Sequence, residues 1–88
     1  EAHYNLGNAI QEQGKIDQAI EIYKKTLSLK PDYAEAHYNM GNALQEQGNI
    51  EETIAAYKKA ISLKSDYTEA YNNLGNALKD QGKLEEAI

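Results

Sequence analysis

The chain has 88 residues, which allows one small domain with a thin core and a small stability margin. It contains no cysteine, so neither a disulfide nor a thiol-based site can contribute to it. The formal net charge of −5 argues against nucleic-acid binding, and all nine cationic side chains are lysines, which lack the bidentate guanidinium fork of arginine.

The sequence repeats itself with a period of 34 residues. Residues 1–34 and 35–68 are identical at 22 of 34 positions, and residues 69–88 match residues 35–54 at 12 of 20 positions. A match of this depth at one fixed offset indicates a repeat architecture. We therefore predict a single domain over residues 1–88, with repeat 1 at 1–34, repeat 2 at 35–68 and a partial repeat 3 at 69–88.

Each repeat is predicted to form a helix, a turn and a second helix. Apolar positions recur at the spacing of one helix face. In the first repeat these stripes are Ala2, Leu6, Ala9, Ile10 and Gln13, followed by Ile16, Ala19, Ile20, Tyr23 and Leu27. We expect helices near residues 2–13, 17–29, 36–47, 51–63 and 70–81, with a short stub from about residue 84.

Turn-forming residues separate these apolar stripes. Gly14 lies where the end of a helix favours a residue in the left-handed backbone conformation. The same glycine stop, meaning a glycine that ends a helix, is expected at Gly48 and Gly82. Pro31 is expected to end the second helix. The segment Asp32-Tyr33-Ala34-Glu35 then predicts an N-cap at the aspartate with a glutamate three residues later, a variant of the capping box.

A further glycine lies inside the first helix of each repeat. Gly7, Gly41 and Gly75 occupy positions where glycine costs roughly 1 kcal/mol relative to alanine. Its recurrence predicts close packing of the partner helix, and Ala19 is the expected neighbour of Gly7. Helices of about 12 residues are unstable alone. Each hairpin must therefore stack on its neighbours, as in a solenoid.

The repeat resembles the tetratricopeptide repeat, a 34-residue helical hairpin. The positions that carry the resemblance are Leu6-Gly7, Met40-Gly41, Leu74-Gly75, Tyr23, Tyr57, Pro31, Ala19, Ala60 and Ala87. The resemblance covers the whole chain, although His3, His37 and Tyr71 stand where that family often has tryptophan. It implies an all-α, right-handed superhelical solenoid of antiparallel helix-turn-helix hairpins, about 2.5 repeats long. It also implies a concave groove, lined by the first helices, in which a peptide or partner protein binds.

Polar side chains of the first helices recur in register and predict the contents of that groove. The candidate peptide-binding residues are Asn8, Asn42, Asn76, Asn5, Asn39, Asn73, Tyr4, Tyr38, Gln11, Gln45, Glu12 and Glu46. Asn8, Asn42 and Asn76 form the expected row, because an amide can pair with the C=O and N–H of a peptide together. Such rows resemble those in the repeat arm of O-linked N-acetylglucosamine transferases. For the other three asparagines, a hydrogen bond to a neighbouring helix is an open alternative.

The charge of the groove argues against one function known in the family. Tetratricopeptide domains that bind acidic C-terminal tails of chaperones use a clamp of lysine, arginine and asparagine. Here Tyr4, Glu69 and Asn73 stand at the cationic positions of that clamp. Glu12 and Glu46 make the groove mildly acidic, so we expect it to prefer neutral or basic peptides.

No catalytic constellation or cofactor motif stands out in the sequence. His3 and His37 recur once per repeat, which is typical of a packing position rather than a metal site. No apolar run approaches the roughly 20 residues that span a bilayer. We therefore expect a soluble protein-protein interaction scaffold that is not an enzyme, has no cofactor or metal, and binds neither nucleic acid nor membrane. The cytoplasm is the default compartment.

Two alternative functions stay open from the sequence. The repeats could recruit substrate as one arm of a larger enzyme, such as a glycosyltransferase. They could also form a structural spacer that self-associates through the unfinished third repeat. The apolar stripe expected to lack its cover there consists of Ala70, Leu74, Ala77 and Leu78.

Overall fold

Five α-helices joined by short turns make up the part of the chain that the computed structural model describes, which is the backbone of residues 2–87 and the side chains of residues 6–83. They are α1 (Ala2–Glu12), α2 (Ile16–Leu29), α3 (Ala34–Gln47), α4 (Ile50–Leu63) and α5 (Thr68–Ala87). α1 with α2 and α3 with α4 form hairpins, while α3 also lies against α2 and α5 against α4. The predicted all-α helical-repeat solenoid is confirmed.

The core consists of small clusters, each of which joins one repeat to the next. The first contains Ala19, Ile20, Tyr23, Ala43, Leu44 and Ala56. The second contains Ala34, Ala60, Tyr67 and Ala70, and the third contains Ile54, Tyr57 and Ala77. The stripe of α5 is therefore less open than expected: α4 buries Ala70 and Ala77, because the alanines let the two helices approach closely. Leu78, at the outer edge of the stripe, is 43% exposed.

The mid-helix glycines of the first two repeats lie against a tyrosine ring. A Cβ atom on Gly7 would come within 2.7 Å of Tyr23 Cε1, and one on Gly41 within 2.6 Å of Tyr57 Cε1. The close packing predicted for these glycines is present, but the neighbour is the tyrosine rather than Ala19. The reason is size, since a buried ring fills the space that the absent side chain leaves.

Two of the three expected glycine stops end a helix. Gly14 and Gly48 have φ values of 80° and 90°, the left-handed conformation that glycine adopts without a Cβ penalty. At the second stop, Asn49 N–H donates to the carbonyl of Leu44 at 3.0 Å. The expected stop at Gly82 is wrong, because α5 continues through it to Ala87. Glycine permits the left-handed conformation without requiring it, and Gly82 is not among the glycines with positive φ.

The capping box expected at Asp32 does not form. Tyr33, not Asp32, occupies the N-cap of α3, and no side-chain hydrogen bond caps this helix. α3 thus begins at Ala34, two residues earlier than predicted. The turn closes on the tyrosine, whose N–H donates to the carbonyl of Lys30 at 3.2 Å. This backbone bond closes the turn without a side-chain cap, so the aspartate preference does not decide where α3 starts.

Candidate functional site

An open polar pocket of about 380 Å³ lies on the surface shared by α1 and α3. It is lined by Asn8, Gln11, Glu12, Asn39 and Glu46, all of which the sequence predicts to be peptide-binding residues. The three residues of α1 meet there because positions three and four apart share a helix face. α3 presents the same face one repeat later. The lining side chains are amides and carboxylates, so the pocket combines hydrogen-bonding groups with negative charge.

Asn8 is tied to the protein through its carbonyl oxygen. Its Oδ1 accepts a hydrogen bond from the Tyr23 hydroxyl at 2.5 Å and another from Asn39 Nδ2 at 3.0 Å. An amide oxygen has two acceptor positions, so both are occupied. Within the described residues, Nδ2 of Asn8 donates no hydrogen bond, and its two N–H groups remain for a ligand.

The second repeat reproduces this arrangement. Asn42 Oδ1 accepts hydrogen bonds from the Tyr57 hydroxyl and from Asn73 Nδ2, the latter at 3.1 Å. Asn73 Nδ2 also donates to the hydroxyl of Tyr38 at 3.1 Å. Asn39 and Asn73 therefore bond the preceding first helix, which is the alternative that the sequence left open for them. A peptide contact of either residue stays a prediction.

The predicted glutamines lie beside the same hydroxyls. Tyr23 donates to Gln11 Oε1 at 2.8 Å, and Tyr57 donates to Gln45 Oε1 at 3.2 Å. Each hydroxyl proton is thus shared between an asparagine and a glutamine one helical turn apart. The buried tyrosine of each second helix holds two polar side chains of the first helix in place.

Burial extends to higher pH the range in which Tyr57 is neutral and can donate a hydrogen bond. Its side chain is fully buried, and this desolvation raises its pKa from the ordinary value of 10.0 to about 12. The nearby Asn73 side chain lowers the pKa, and Tyr38 adds a smaller upward contribution to it. A phenol with this pKa carries its proton at neutral pH, as the hydrogen bond to Asn42 requires.

Tyr38 lies between two other tyrosines. Its ring centroid is 5.9 Å from that of Tyr57 and 4.9 Å from that of Tyr67, with tilted planes. The ring packs partly buried against two core clusters, and its hydroxyl accepts the bond from Asn73. These contacts account for Tyr38 as a packing residue, while a ligand contact through its exposed part stays a prediction.

The role of Tyr23 and Tyr57 in orienting the amides was not predicted from the sequence. Tyr23 was expected in an apolar stripe, and both tyrosines were expected only as residues that carry the family resemblance. A signal was available, because tyrosine recurs where phenylalanine would bury equally well, and a buried hydroxyl needs a partner. The partners are Asn8 and Asn42, fifteen residues earlier in each repeat.

A family model described as TPR repeat matches residues 11–48 and 41–82, which together cover most of the sequence. The chain belongs to the TPR repeat family. No curated protein matches the chain at a significant level.

Solved structures of other TPR proteins are similar to this TPR chain over nearly its whole length. The crystal structure of MamA shares 33% identity, covering 99% of this chain and 51% of that one, with a TM-score of 0.91. The second TPR of Spaghetti (RPAP3), bound to the HSP90 peptide SRMEEVD, shares 29% identity over 98% of this chain and 80% of that one, with a TM-score of 0.90. The first TPR of Spaghetti, bound to the same peptide, shares 30% identity over 98% and 68%, with a TM-score of 0.90. The chain thus spans about half the length of MamA.

The third member of the TPR asparagine row lies in a different environment. Asn76 on α5 is exposed, and the adjacent Gly75 has nothing within 4 Å of an added Cβ atom. The side chains of the predicted residues Tyr4 and Asn5 lie outside the described residues.

The described part of this TPR chain holds no group of three potential metal-binding side chains. His37 instead places Nε2 3.0 Å from the carbonyl oxygen of Pro31, so it secures the turn before α3. None of the helices over residues 2–87 combines the length and apolar composition needed to cross a bilayer.

A second pocket, of about 340 Å³, lies between α2, α3 and α4 and is mainly apolar. Its lining consists of Lys24, His37, Met40, Leu44, Glu52, Ala55, Ala56 and Lys59, none of which the sequence predicts as a site. Leu44 and Ala56 belong to the first core cluster, and Met40 packs against it. This pocket therefore marks the edge of the core.

Proposed function

We propose that this TPR chain binds an extended peptide segment of a partner protein along the first helices of its repeats. The observation that carries this proposal is the polar pocket, to which α1 and α3 both contribute predicted residues. Asn8 and Asn42 hold N–H groups in equivalent positions of successive repeats. A peptide running across both would meet the same donors twice, and each hydrogen bond contributes on the order of 1 kcal/mol.

The Spaghetti structures support a peptide ligand, because TPR units of comparable extent are bound there to SRMEEVD. That peptide is acidic, whereas Glu12 and Glu46 line the pocket of this chain. An acidic ligand would bring like charges together there. We therefore propose a neutral or basic segment as the ligand of this chain, and binding rather than catalysis as its activity.

Fluorescence anisotropy with three acetylated nonapeptides tests this proposal. Alanine alternates with lysine in the first, with serine in the second and with glutamate in the third. We expect the lysine peptide to bind at least as tightly as the serine peptide, and the glutamate peptide to bind weakest. Tightest binding of the glutamate peptide would contradict the charge preference. Failure of all three to bind would contradict a general main-chain groove.

A matched pair of variants locates the charge effect. Glu12→Gln combined with Glu46→Gln should reduce the advantage of the lysine peptide, because it removes both carboxylates of the pocket. Glu21→Gln combined with Glu51→Gln makes the same change in charge at exposed positions of the second helices. This control should leave the preference nearly unchanged.

Association between copies is a second candidate function, favoured by apolar side chains at both ends of the stack. Leu6 of α1 is 50% exposed, and Tyr71 and Leu78 of α5 are 49% and 43% exposed. Sedimentation equilibrium tests this candidate. Leu78→Ser should weaken association, whereas Leu29→Ser, at the most exposed leucine of α2, should not. A monomer at all concentrations would contradict it.

A further inference from the structure

We propose that Tyr23 and Tyr57 orient the amides of Asn8 and Asn42 so that these two amides recognise carbonyl oxygens of the ligand main chain and not its N–H groups. This inference rests on the proposed peptide-binding function and deepens it by naming the ligand group that is recognised. It also changes the expectation from sequence, in which each asparagine pairs with the C=O and the N–H of a peptide together.

The first step is that the amide oxygens of both asparagines already accept hydrogen bonds within the protein. Asn8 Oδ1 accepts from Tyr23 and Asn39, and Asn42 Oδ1 accepts from Tyr57 and Asn73. Both lone pairs of each oxygen are therefore engaged within the protein. Two repeats with different neighbours show the same pattern, so it is a property of the repeat.

The second step is that a half-turn of either asparagine amide, which exchanges Oδ1 and Nδ2, is unfavourable. Turning the Asn8 amide over would bring its Nδ2 against Nδ2 of Asn39, and both groups can only donate. At Asn42 the opposing group is Nδ2 of Asn73, which also donates to Tyr38. Reversal at either asparagine alone would set N–H donors against each other in place of a hydrogen bond, which is costly.

The third step is the chemistry that the groove then offers. The N–H groups of Asn8 and Asn42 point away from the occupied oxygens, and an amide N–H pairs only with an acceptor. The main-chain acceptor of a peptide is its carbonyl oxygen. The ligand class is thus an extended segment with free carbonyl oxygens, and residues without N–H, such as proline, are accepted within it.

Ligand variants separate the two main-chain groups. The probe is the neutral acetylated nonapeptide of alternating alanine and serine, measured against the full chain by fluorescence anisotropy. Methylation of the alanine nitrogens removes N–H groups and keeps the carbonyls, so binding should stay within about threefold. Replacement of the same amide bonds by trans-alkenes removes the carbonyls too, so binding should weaken by about tenfold or more. Equal losses for both peptides would overturn the inference.

Protein variants give a readout that is independent of ligand shape. Asn8→Asp with Asn42→Asp keeps an oxygen for the tyrosine and asparagine donors but replaces the outward N–H groups by a second oxygen. We expect a circular dichroism spectrum like that of the parent and about tenfold weaker binding of the neutral probe. Gln18→Glu with Asn49→Asp adds the same charge outside the polar pocket and should change affinity by less than about twofold.

The outcomes distinguish this inference from the peptide-binding proposal on which it rests. If the parent chain binds the neutral probe and the aspartate variant binds it equally well, the donor role of these two amides is wrong while peptide binding stands. If the parent chain binds none of the alanine-containing peptides, the peptide-binding proposal itself is wrong. Weaker binding by the aspartate variant alone, with the control unchanged, supports both.

Discussion

The hydroxyl of Tyr23 donates a 2.5 Å hydrogen bond to Oδ1 of Asn8, fifteen residues earlier in the chain. This bond connects the fully buried core of the first hairpin to its polar pocket. One aromatic side chain thereby fills the space over a glycine and fixes an amide at the surface. Packing and polar specificity in this fold share the same residue, so substitutions in the core are expected to alter the groove.

Removal of the equivalent hydroxyl in the second repeat should lower stability. Tyr57→Phe keeps the ring over Gly41 but leaves Asn42 Oδ1 with one donor instead of two. We expect the free energy of unfolding in urea to fall by about 1 kcal/mol. Tyr71→Phe is the control, because that side chain is 49% exposed and the change should stay within about 0.5 kcal/mol. Equal effects of the two substitutions would contradict the role of the buried hydroxyl.

The mid-helix glycines should respond oppositely to the same substitution. Gly41→Ala gains roughly 1 kcal/mol of helix propensity but places a Cβ atom 2.6 Å from the buried Tyr57 ring. Overpacking of this kind costs about 1–3 kcal/mol, so we expect a net loss of stability. Gly75→Ala has open space around it and should gain up to about 1 kcal/mol. Thermal and urea unfolding of the two variants would test this, and stabilisation by both would contradict the packing argument.

The helical repeat was predictable from sequence because its signals are local and recur. Period, apolar stripe and turn glycine all point to the same hairpin, and α2 and α4 begin within one residue of the positions expected. The failures concern helix ends, where local preference alone does not decide. Asp32 has the better intrinsic preference for an N-cap, but Tyr33 occupies that position of α3. Gly82 has the sequence context of Gly48, yet α5 continues through it.

The five residues that line the polar pocket could be predicted to lie on one surface, but the orientation of the amides could not. Register alone brings Glu12 and Glu46 together, because equivalent positions of stacked repeats lie side by side. Which face of each amide is available depends on Tyr23, whose hydroxyl reaches across from another helix. Sequence spacing contains no information on that distance.

Gly48 and Gly82 differ in backbone conformation, so the same substitution should affect them differently. Gly48 has a φ of 90°, whereas Gly82 continues α5 and is not among the glycines with positive φ. Gly48→Ala should therefore destabilise the chain by about 1–2 kcal/mol, the cost of a Cβ atom in that conformation. Gly82→Ala should be neutral or raise stability by up to about 1 kcal/mol. Urea denaturation monitored by circular dichroism would measure both, and a destabilised Gly82→Ala would show that this glycine also needs its flexibility.

Stability at alkaline pH should report on the buried Tyr57 phenol. Its pKa rises from 10.0 to about 12 on folding, so the native state holds the proton more tightly than the unfolded state. The stabilising contribution is therefore complete below pH 10 and is lost as the pH rises towards 12. Between pH 9 and pH 11 the loss should be about 1.3 kcal/mol. Because lysines titrate in the same range, the measurement compares the parent with Tyr57→Phe by urea unfolding at each pH. Parallel pH profiles for the two proteins would show that this phenol is not held neutral by burial.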